Sequence, residues 1–320
     1  MTHTVTTSTL PLSDVLFREG RRIAVERGVH IPVLLDEVIA WLDPCPGRVY
    51  VDGTVGGGGH AEAILRRLGD DGTLIGIDRD PEALRLAEGR LAFAGDRCQL
   101  MRGDFRGLGE ILDRAGVSTV NGVLLDIGVS TMQLFTSSRG FSFDREGPLD
   151  MRMDPDLERS AADIVNTADD SELEDILRLG GEVRWARRIA RAIVQARHER
   201  AIRTTVALAD VIRRAVPYAG GRIDPSTRAF QAIRIAVNDE LEALREGLRV
   251  AMTRLAIGGR LCVIAFHSLE ERIVKEVFRS WKREGVAAIL TPKPVRPTAF
   301  EVVTNPRSRS ARLRVVERVV

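Results

Sequence analysis

The stretch VDGTVGGGGH at residues 51–60 constrains this chain most, because five of its ten residues are glycine and four are consecutive. It lies between GRVYVDGT, which predicts a short strand, and AEAILRRL, whose apolar residues have helical spacing; a second apolar run, GTLIGIDRD, follows. This order predicts a strand, glycine turn, helix and strand of an α/β sheet. Such a turn lets a backbone approach a bound nucleotide, although a tight turn without a ligand is the alternative.

Two aspartates narrow the choice of ligand for this turn. Asp78 ends the second strand 19 residues after Gly59, a spacing at which a carboxylate accepts hydrogen bonds from ribose hydroxyls. Asp52 comes just before the turn, where its charge would repel a pyrophosphate but suits a ligand carrying an ammonium and a sulfonium group. The sequence therefore favours S-adenosylmethionine over a dinucleotide, although capping a helix is an alternative role for Asp52.

Candidate site residues also follow two further strands. Phe105, in GDF after the strand QLMR, could face an adenine ring or could belong to the core. Asp126 ends the apolar strand VLLD, and open α/β sheets bind their ligands at the carboxyl ends of strands. Both residues fit a site for a methyl donor.

The rest of the chain predicts one sheet domain that is interrupted by helices. Residues 131–155 have no steady period, which predicts a long ordered loop that serves a site. Helical periods without strand signals follow to about residue 219, then one long helix at 229–255, a strand in GGRLCVIAFHS, a helix, and a basic segment ending in an edge strand. We predict a mobile tail at 1–28, a sheet domain formed by 29–135 and 236–320, and a loop with an all-helical insertion at 136–235.

The formal net charge of +2 hides an uneven distribution. Residues 101–175 hold 16 acidic and 7 basic residues, whereas residues 178–234 hold 13 arginines against 4 acidic residues. A concentrated positive field attracts phosphates, and the alternative is a set of solvated faces and internal ion pairs. The candidates for RNA binding are Arg184, Arg187, Arg188, Arg191 and Arg197, and, near the C-terminus, Arg307, Arg309, Arg312 and Arg314.

The cysteine spacing and the lengths of the apolar runs indicate the cellular compartment in which we expect this protein. Cys45, Cys98 and Cys262 lie far apart, with no C-x-x-C pair and no histidine at ligand spacing, which favours neither a disulfide framework nor a metal site. The N-terminus lacks the pattern of a secretory signal, and no apolar run is long enough to span a bilayer. We expect a cytoplasmic protein without a metal or a membrane partner.

A series of motifs resembles one bacterial family, the ribosomal RNA small subunit methyltransferase H family of cytosine-N4 methyltransferases. The matching stretches run in order from His30 to about Glu317. They are HIPVLLDEV at 30, DGTVGGGGHAEAIL at 52, GIDRDPEAL at 76, GDF at 103, DIGVSTMQL at 126, RGFSFDREGPLDMRMD at 139, FQAIRIAVNDEL at 230, FHSLEERIVK at 266 and NPRSRSARLRVVE at 305. Thr131 and Met132 stand where the family usually has Ser and Pro.

The resemblance implies a fold, a cofactor and a substrate. The fold is a class I S-adenosylmethionine-dependent methyltransferase sheet with a helical, substrate-recognising insertion. The substrate is the exocyclic N4 of a cytidine in the decoding region of 16S rRNA, in the small ribosomal subunit, and a homodimer is left open. The residues that would hold S-adenosylmethionine are Gly58, Gly59, His60, Asp78, Phe105, Asp126 and Gln133.

Two residues are candidates for the catalytic step. Asp126, or a main-chain carbonyl after it, could accept hydrogen bonds from the amine as positive charge develops. His267, in FHSLEE, could act as a base, with a structural role as the alternative. Asp150, Arg152 and Asp154 fit loop organisation or RNA contact better than catalysis.

Two other functions compete with this one. A DNA cytosine-N4 methyltransferase would usually carry a [DNS]-P-P-[YFW] tetrapeptide, which DIGV lacks. A catalytically silent RNA-binding assembly factor is disfavoured because Asp78, Asp126 and Gln133 are all retained.

Overall fold

The computed structural model describes residues 31–217 and 224–320, and its centre is a seven-stranded sheet in the order β3-β2-β1-β4-β5-β7-β6. The predicted tail at 1–28 lies outside the described residues. Strands β1 to β5 run parallel, and β7 is antiparallel to β5 and β6. The strands are β1 (Val49–Asp52), β2 (Thr73–Asp78), β3 (Cys98–Arg102), β4 (Val120–Asp126), β5 (Leu255–Ala265), β6 (Ala287–Ile289) and β7 (Arg312–Arg318).

The sheet changes its direction of growth between β1 and β4. From β1 the chain adds β2 and β3 on one side, and it then returns to add β4 on the other side. Open α/β sheets bind ligands at such a switch point, beyond the carboxyl ends of the strands. The strand order, with the antiparallel β7 between β5 and β6, confirms the class I S-adenosylmethionine-dependent methyltransferase sheet that the sequence predicts. Asp52 and Asp126 end the two strands at the switch point.

Helices cover both faces of the sheet. They are α1 (Leu35–Leu42), α2 (Gly59–Leu68), α3 (Pro81–Leu91), α4 (Leu108–Arg114), α11 (Glu240–Arg254) and α12 (Ser268–Arg283), with two shorter helices, α5 (Thr131–Phe135) and α13 (Ala299–Thr304). Because successive strand residues point to opposite faces, Val51 and Ile75 pack with α4, α11 and α12, whereas Tyr50 and Leu74 pack with α1, α2 and α3. Of the described helices, none has the length and apolar character needed to cross a membrane.

The insertion has a core of its own. Its helices are α6 (Ala161–Thr167), α7 (Asp170–Leu179), α8 (Ala186–Glu199), α9 (Thr205–Ala215) and α10 (Ser226–Asn238). Their buried apolar residues form one cluster, separate from the two at the sheet. The start of α6 is fixed by a capping box, in which Ser160 and Asp163 each accept the other's backbone N–H. We propose that this separate core makes the insertion a domain.

The structure corrects the single long helix expected at 229–255. Asp239 has a left-handed backbone, with φ of 48°, and separates α10 from α11. Phe230 and Ile233 of α10 belong to the insertion's core, whereas Leu244 of α11 packs on the sheet. The boundary that we predicted after residue 235 falls inside α10, so we propose Asn238 as the end of the insertion.

The final strand is also corrected, because β7 lies inside the sheet and not at its edge. The edge on that side is β6, which pairs with β7 through only three residues, Ala287, Ala288 and Ile289. Three residues are too short a pattern to indicate a strand in a sequence. The antiparallel β7 therefore gains partners on both sides that its sequence did not predict.

Candidate active site

A cleft of about 350 Å³ opens at the carboxyl edge of the sheet, above the switch point. Most of the predicted donor-binding residues line it, and so does the catalytic candidate His267. The lining residues among our predictions are Gly59, His60, Asp78, Phe105, Asp126, Gln133, His267 and Arg307. Asp52 and Gly58 do not line the cleft; each is in the chain next to a residue that does, Gly53 and Gly59.

The four consecutive glycines are required, or tolerated, for different structural reasons. Gly56 and Gly58 have φ of 50° and 79°, a left-handed backbone that residues with a side chain rarely adopt. A Cβ on Gly59 would stand 2.4 Å from Cγ of Pro32, so close packing excludes a side chain there. Only Gly57 has open space, since a Cβ there would meet no atom within 4 Å. The run of glycines thus reflects backbone conformation and packing as well as room for a ligand.

Asp78 links the glycine turn to the end of β2. Its Oδ2 accepts the Gly56 N–H at 2.9 Å, and its Oδ1 accepts the Asp80 N–H at 2.9 Å. Burial is the main cause that raises the pKa of Asp78 to about 6. The carboxylate lines the cleft with further lone pairs available, as a ribose-binding residue requires.

Asp52 lies below the cleft and is only 1% exposed. Its Oδ1 accepts the Thr54 N–H at 3.2 Å, so it braces the turn after β1. It does not cap α2, whose N-cap is Gly58. Burial, with a smaller contribution from the charge of Asp78, raises the pKa of Asp52 to about 7. Because Asp52 does not line the cleft, it can act on a ligand there through its charge but not through a direct contact.

Asp126 ends β4 at the centre of the cleft, and its side chain is 16% exposed. Its backbone N–H donates to Oγ1 of Thr54 at 2.7 Å, whereas its side-chain Oδ1 has no hydrogen-bond partner in the described part of the chain. Burial, with a smaller contribution from the charge of Asp52, raises the pKa of Asp126 to about 8, and the charge of Arg307 opposes the shift. The site therefore holds an acceptor atom that is buried and unused.

His60 faces Asp126 from the first turn of α2. Its Nε2 lies 3.0 Å from the carbonyl oxygen of Val33, which can only accept, so Nε2 carries the proton. The other ring nitrogen, Nδ1, then presents its lone pair, and it lies 3.6 Å from Oδ2 of Asp126. Burial lowers the pKa of His60 to about 4, which keeps the ring neutral at physiological pH. A neutral imidazole beside Asp126 leaves the carboxyl without a countercharge on that side.

Comparison with known proteins identifies the family to which this chain belongs. Residues 27–319 match the model of the MraW methylase family. The ribosomal RNA small subunit methyltransferase H of Syntrophobacter fumaroxidans is 49% identical over 306 residues, which cover 90% of this chain and 96% of that protein. The protein of the same name from Pelobacter propionicus is 49% identical over 308 residues, covering 91% and 98%.

This chain belongs to the MraW methylase family. It is therefore a methyltransferase that uses S-adenosylmethionine as its methyl donor. Among solved structures, an rRNA methylase from Streptococcus thermophilus is 11% identical with a TM-score of 0.41, covering 89% of this chain and 94% of that one. A likeness at that level carries no argument about activity.

Gln133 of this MraW methylase lies in a buried network that sequence reasoning missed. Its Oε1 accepts the Ser130 N–H at 3.0 Å, and its Nε2 donates to Oδ2 of Asp80 at 3.0 Å. The same Oδ2 accepts from Nη1 of Arg139 at 2.7 Å. Asp80 also caps α3 by accepting the Glu82 N–H. The D-P pair at the start of α3 signals the cap, but nothing in the sequence signals the links to α5 and to Arg139.

Arg307 has a different role from the phosphate contact that we predicted. Its guanidinium donates to the Val129 carbonyl at 2.9 Å and to the Thr131 hydroxyl. It therefore holds the loop after Asp126 from the C-terminal segment, and its charge acts on Asp126. Thr131, which departs from the family's usual residue, supplies one of the two acceptors.

Phe105 is both a wall residue of the cleft and a core residue, and its contact with an adenine ring stays a prediction. It lines the cleft, and it also belongs to the buried core with an exposed fraction of 6%. A Cβ on Gly247 of α11 would stand 2.3 Å from Cδ2 of the Phe105 ring. The close approach of α11 therefore fixes the ring at the wall of the cleft.

His267 has the structural role that was our alternative. It is the N-cap of α12, where Nδ1 accepts the Glu270 N–H at 3.4 Å while Oε2 of Glu270 accepts the His267 N–H at 3.1 Å. Nε2 lies 3.0 Å from Oε1 of Glu270 but makes no hydrogen bond within the described part of the chain. Because Nδ1 already accepts the Glu270 N–H in the cap, we favour Asp126 as the acceptor.

Glu240, His267 and Glu270 place possible metal-ligand atoms within 4.8 Å of one another. Both oxygens of Glu240 are taken by Arg234, with Nε–Oε1 and Nη2–Oε2 distances of 2.8 Å. His267 and Glu270 are occupied by the cap. Glu240 and Glu270 therefore have protein partners, whereas Nε2 of His267 makes no hydrogen bond among the described residues.

The structure separates the arginines that we predicted to bind RNA. Arg184, Arg187, Arg188 and Arg191 are exposed at the start of α8 and before it, and Arg309 is exposed near the C-terminus. Arg197 instead donates to the carbonyls of Val165 and Ala168, and Arg314 is buried in an ion pair with Glu271 at 2.6 Å. Arg312 is half-buried on β7. Arg197 and Arg314 therefore hold the fold and are not free for phosphates.

Proposed function

We propose that this MraW methylase transfers a methyl group from S-adenosylmethionine to the exocyclic N4 of a cytidine in small-subunit rRNA. The observation that carries the proposal is the carboxyl group of Asp126, which lines the cleft with a side chain that is 16% exposed and with Oδ1 unpartnered among the described residues. The relatives named ribosomal RNA small subunit methyltransferase H, which match nearly the whole chain, support the choice of RNA.

We assign the donor to the side of the cleft formed by β1, β2 and α2. Asp78 would accept hydrogen bonds from the ribose, and Phe105 would pack on the adenine. Asp52 and Asp126 would favour the cationic end through their charges. Gly58, Gly59 and His60 shape the turn and the wall beside it, and Gln133 fixes α5 through Asp80.

S-adenosylmethionine supplies an electrophilic methyl group on a positively charged sulfur. The cytosine amine is a poor nucleophile because its lone pair is delocalised into the ring. Asp126 would hold the amine through its carboxylate so that the nitrogen points at the methyl carbon, and alignment of this kind lowers a barrier by roughly 7–11 kcal/mol in favourable cases. As the new N–C bond forms, the bond from the methyl carbon to the sulfur would break and leave a neutral thioether, and the Asp126 carboxylate would take the proton that the nitrogen loses.

The raised pKa of Asp126 suits this step. Burial raises it to about 8, so the carboxylate is a stronger base than an exposed aspartate. Binding of a cationic donor beside it would first favour the ionised form. Asp126 would then be charged when the amine arrives and would become protonated as the product forms.

We propose the decoding region of 16S rRNA as the place of the target cytidine, as the family resemblance implies. DNA is the second candidate, and DIGV still lacks the tetrapeptide usual in DNA cytosine-N4 enzymes. We propose that the protein is located in the cytoplasm. The possible homodimer stays a prediction.

The test is methyl incorporation from tritiated S-adenosylmethionine into small subunits, naked rRNA and DNA from a strain that lacks this gene. We expect label in subunits or in rRNA and none in DNA. Asp126→Ala is expected to abolish incorporation, and Asp71→Ala, at an exposed turn residue before β2, serves as the control. Label only in DNA, or incorporation that survives Asp126→Ala, would overturn the proposal.

A further inference from the structure

The exposed face of α12 carries a row of cations that the site does not use. Arg272, Lys275, Arg279, Lys282 and Arg283 follow one another at intervals of three, four, three and one residues, which places them on one side of a helix. Four of them are exposed and Lys275 is half-buried. The opposite side of α12 is buried in the core that covers the sheet. We refer to these five residues as the α12 stripe.

The α12 stripe lacks the carboxylate partners that several other exposed arginines have. Arg66 pairs with Glu62, Arg178 with Glu174 and Arg213 with Asp224. Within the described part of the chain, no ion pair involves any residue of the stripe, and only Arg283 makes a side-chain hydrogen bond, to Ser280 at 3.4 Å. A face that merely needed solubility would not concentrate unpaired cations in this way.

A groove runs beside the stripe. It encloses about 580 Å³ between α12 and the segment after β6, and it is lined by Arg279, Lys282 and Arg283 together with Glu276, Ile289 and Pro292. Lys293 follows directly and is exposed. The groove therefore offers room for an anionic chain next to the cations, with Glu276 as the one acidic side chain in its lining.

The α12 stripe begins beside the active-site cleft. Helix α12 starts directly after His267, a residue of the cleft lining. Leu269, in its first turn, and Gln231, in the cleft lining, both lie beside Gly181. If Gly181 carried a Cβ, that atom would be 3.8 Å from Cδ1 of Leu269 and 3.9 Å from Nε2 of Gln231. Gly181 comes three residues before Arg184, the first of the exposed α8 arginines. The first turn of α12 therefore lies beside the segment that precedes the α8 arginines, next to the cleft lining.

We propose that the α12 stripe binds the phosphates of the RNA on one side of the target nucleotide. This inference rests on the proposed function, because the RNA is placed by the cleft in which its cytidine reacts. The distance from Arg272 to Arg283 along the helix axis is about 16 Å, at 1.5 Å per residue. The exposed arginines of α8 would then hold the RNA on the other side of the cleft.

The test uses two variants that remove the same charge from exposed helical positions. The stripe variant combines Arg272→Gln, Arg279→Gln and Lys282→Gln. The control combines Arg67→Gln, Arg85→Gln and Arg114→Gln on α2, α3 and α4, whose side chains are exposed and make no ion pair among the described residues. Affinity for a fluorescent single-stranded rRNA fragment with the target cytidine is measured over a range of salt concentrations.

Loss of three phosphate contacts is expected to weaken binding by the stripe variant about 100-fold near 0.1 M salt, and to make the slope of log affinity against log salt shallower by about 2. The control is expected to bind like the wild type. Methyl transfer by the stripe variant should recover at saturating RNA, with a raised KM and the wild-type kcat. Unchanged affinity for S-adenosylmethionine by calorimetry would show that both variants are folded.

Equal RNA affinity of the stripe variant and the control would overturn the inference. So would a loss confined to assembled subunits with the naked fragment unaffected, because the stripe would then contact a protein. Failure of the proposed function is a separate outcome, since it is read from wild-type incorporation into cytidine. The binding comparison stands whether or not the wild type methylates the fragment.

Discussion

Burial raises the pKa of Asp126 to about 8 and that of Asp52 to about 7. Both carboxyls thus keep, in the folded protein, a proton that the unfolded chain loses near pH 4. For a carboxyl whose pKa is higher in the folded than in the unfolded protein, the free energy of unfolding is highest at low pH and falls as pH rises toward the folded-state pKa. These two residues should therefore destabilise the ligand-free protein increasingly between about pH 4 and pH 8.

We predict that Asp126→Asn abolishes methyl transfer yet raises the Tm of the ligand-free protein at about pH 8, since the amide never has to ionise while buried. At about pH 4 the gain should vanish, because the wild-type carboxyl is then protonated in the folded protein as well. Thermal unfolding at the two pH values measures the difference. A lower Tm for the variant than for the wild type at the higher pH would contradict the account.

The same carboxyls predict that binding of the donor releases protons. A cation placed beside Asp126 and Asp52 favours their ionised forms and lowers their pKa values. Affinity for S-adenosylmethionine should therefore rise with pH between about pH 6 and pH 8. Calorimetry in two buffers of different ionisation enthalpy measures the protons released, and Asp126→Asn should release fewer. An equal heat of binding in both buffers would show that no proton moves.

Asp78 should contribute directly to donor affinity. We expect Asp78→Ala to weaken S-adenosylmethionine binding by about 1–3 kcal/mol, the range for a lost hydrogen bond to a charged group. Part of this loss would come through the turn, because Asp78 also accepts the Gly56 N–H. Titration calorimetry of this variant against Asp71→Ala gives the difference. Unchanged affinity would remove the ribose assignment.

At the scale of elements, the glycine turn makes a stability prediction. Gly58 has φ of 79° at the N-cap of α2, so Gly58→Ala should destabilise the protein by about 1–3 kcal/mol through backbone strain. Gly89 lies within α3, and a Cβ there would meet no atom within 4 Å. Gly89→Ala should therefore stabilise by up to about 1 kcal/mol. Denaturant unfolding compares the two, and equal effects would contradict the local argument.

The sequence predicted those elements whose pattern is long and regular. β1, β2, β4 and β5 appear as apolar runs because both of their faces are buried. β6 was missed because it has three residues, and its place depends on pairing with β7. The break at Asp239 was missed because neither Gly nor Pro marks it, and the residue adopts a left-handed backbone where the two cores meet.

For the whole molecule, the sequence predicted which residues face the cleft better than it predicted how they are held. Asp78 and Asp126 could be placed because the carboxyl ends of parallel strands share one edge of the sheet. The link from Asp80 to Gln133 and Arg139 joins residues 53 and 59 positions apart. The link from Arg307 to Val129 spans 178 positions. Such contacts arise only when the loop after β4 is folded against the start of α3 and against the C-terminal segment.

The central claim is that a cytosine amine reacts at Asp126. The most direct test is to digest the RNA labelled by the wild-type protein to nucleosides and to identify the methylated nucleoside by mass spectrometry. The account predicts N4-methylcytidine as the product and its absence with Asp126→Ala. A methyl group on a ring carbon, on a ribose oxygen or on a different base would contradict it.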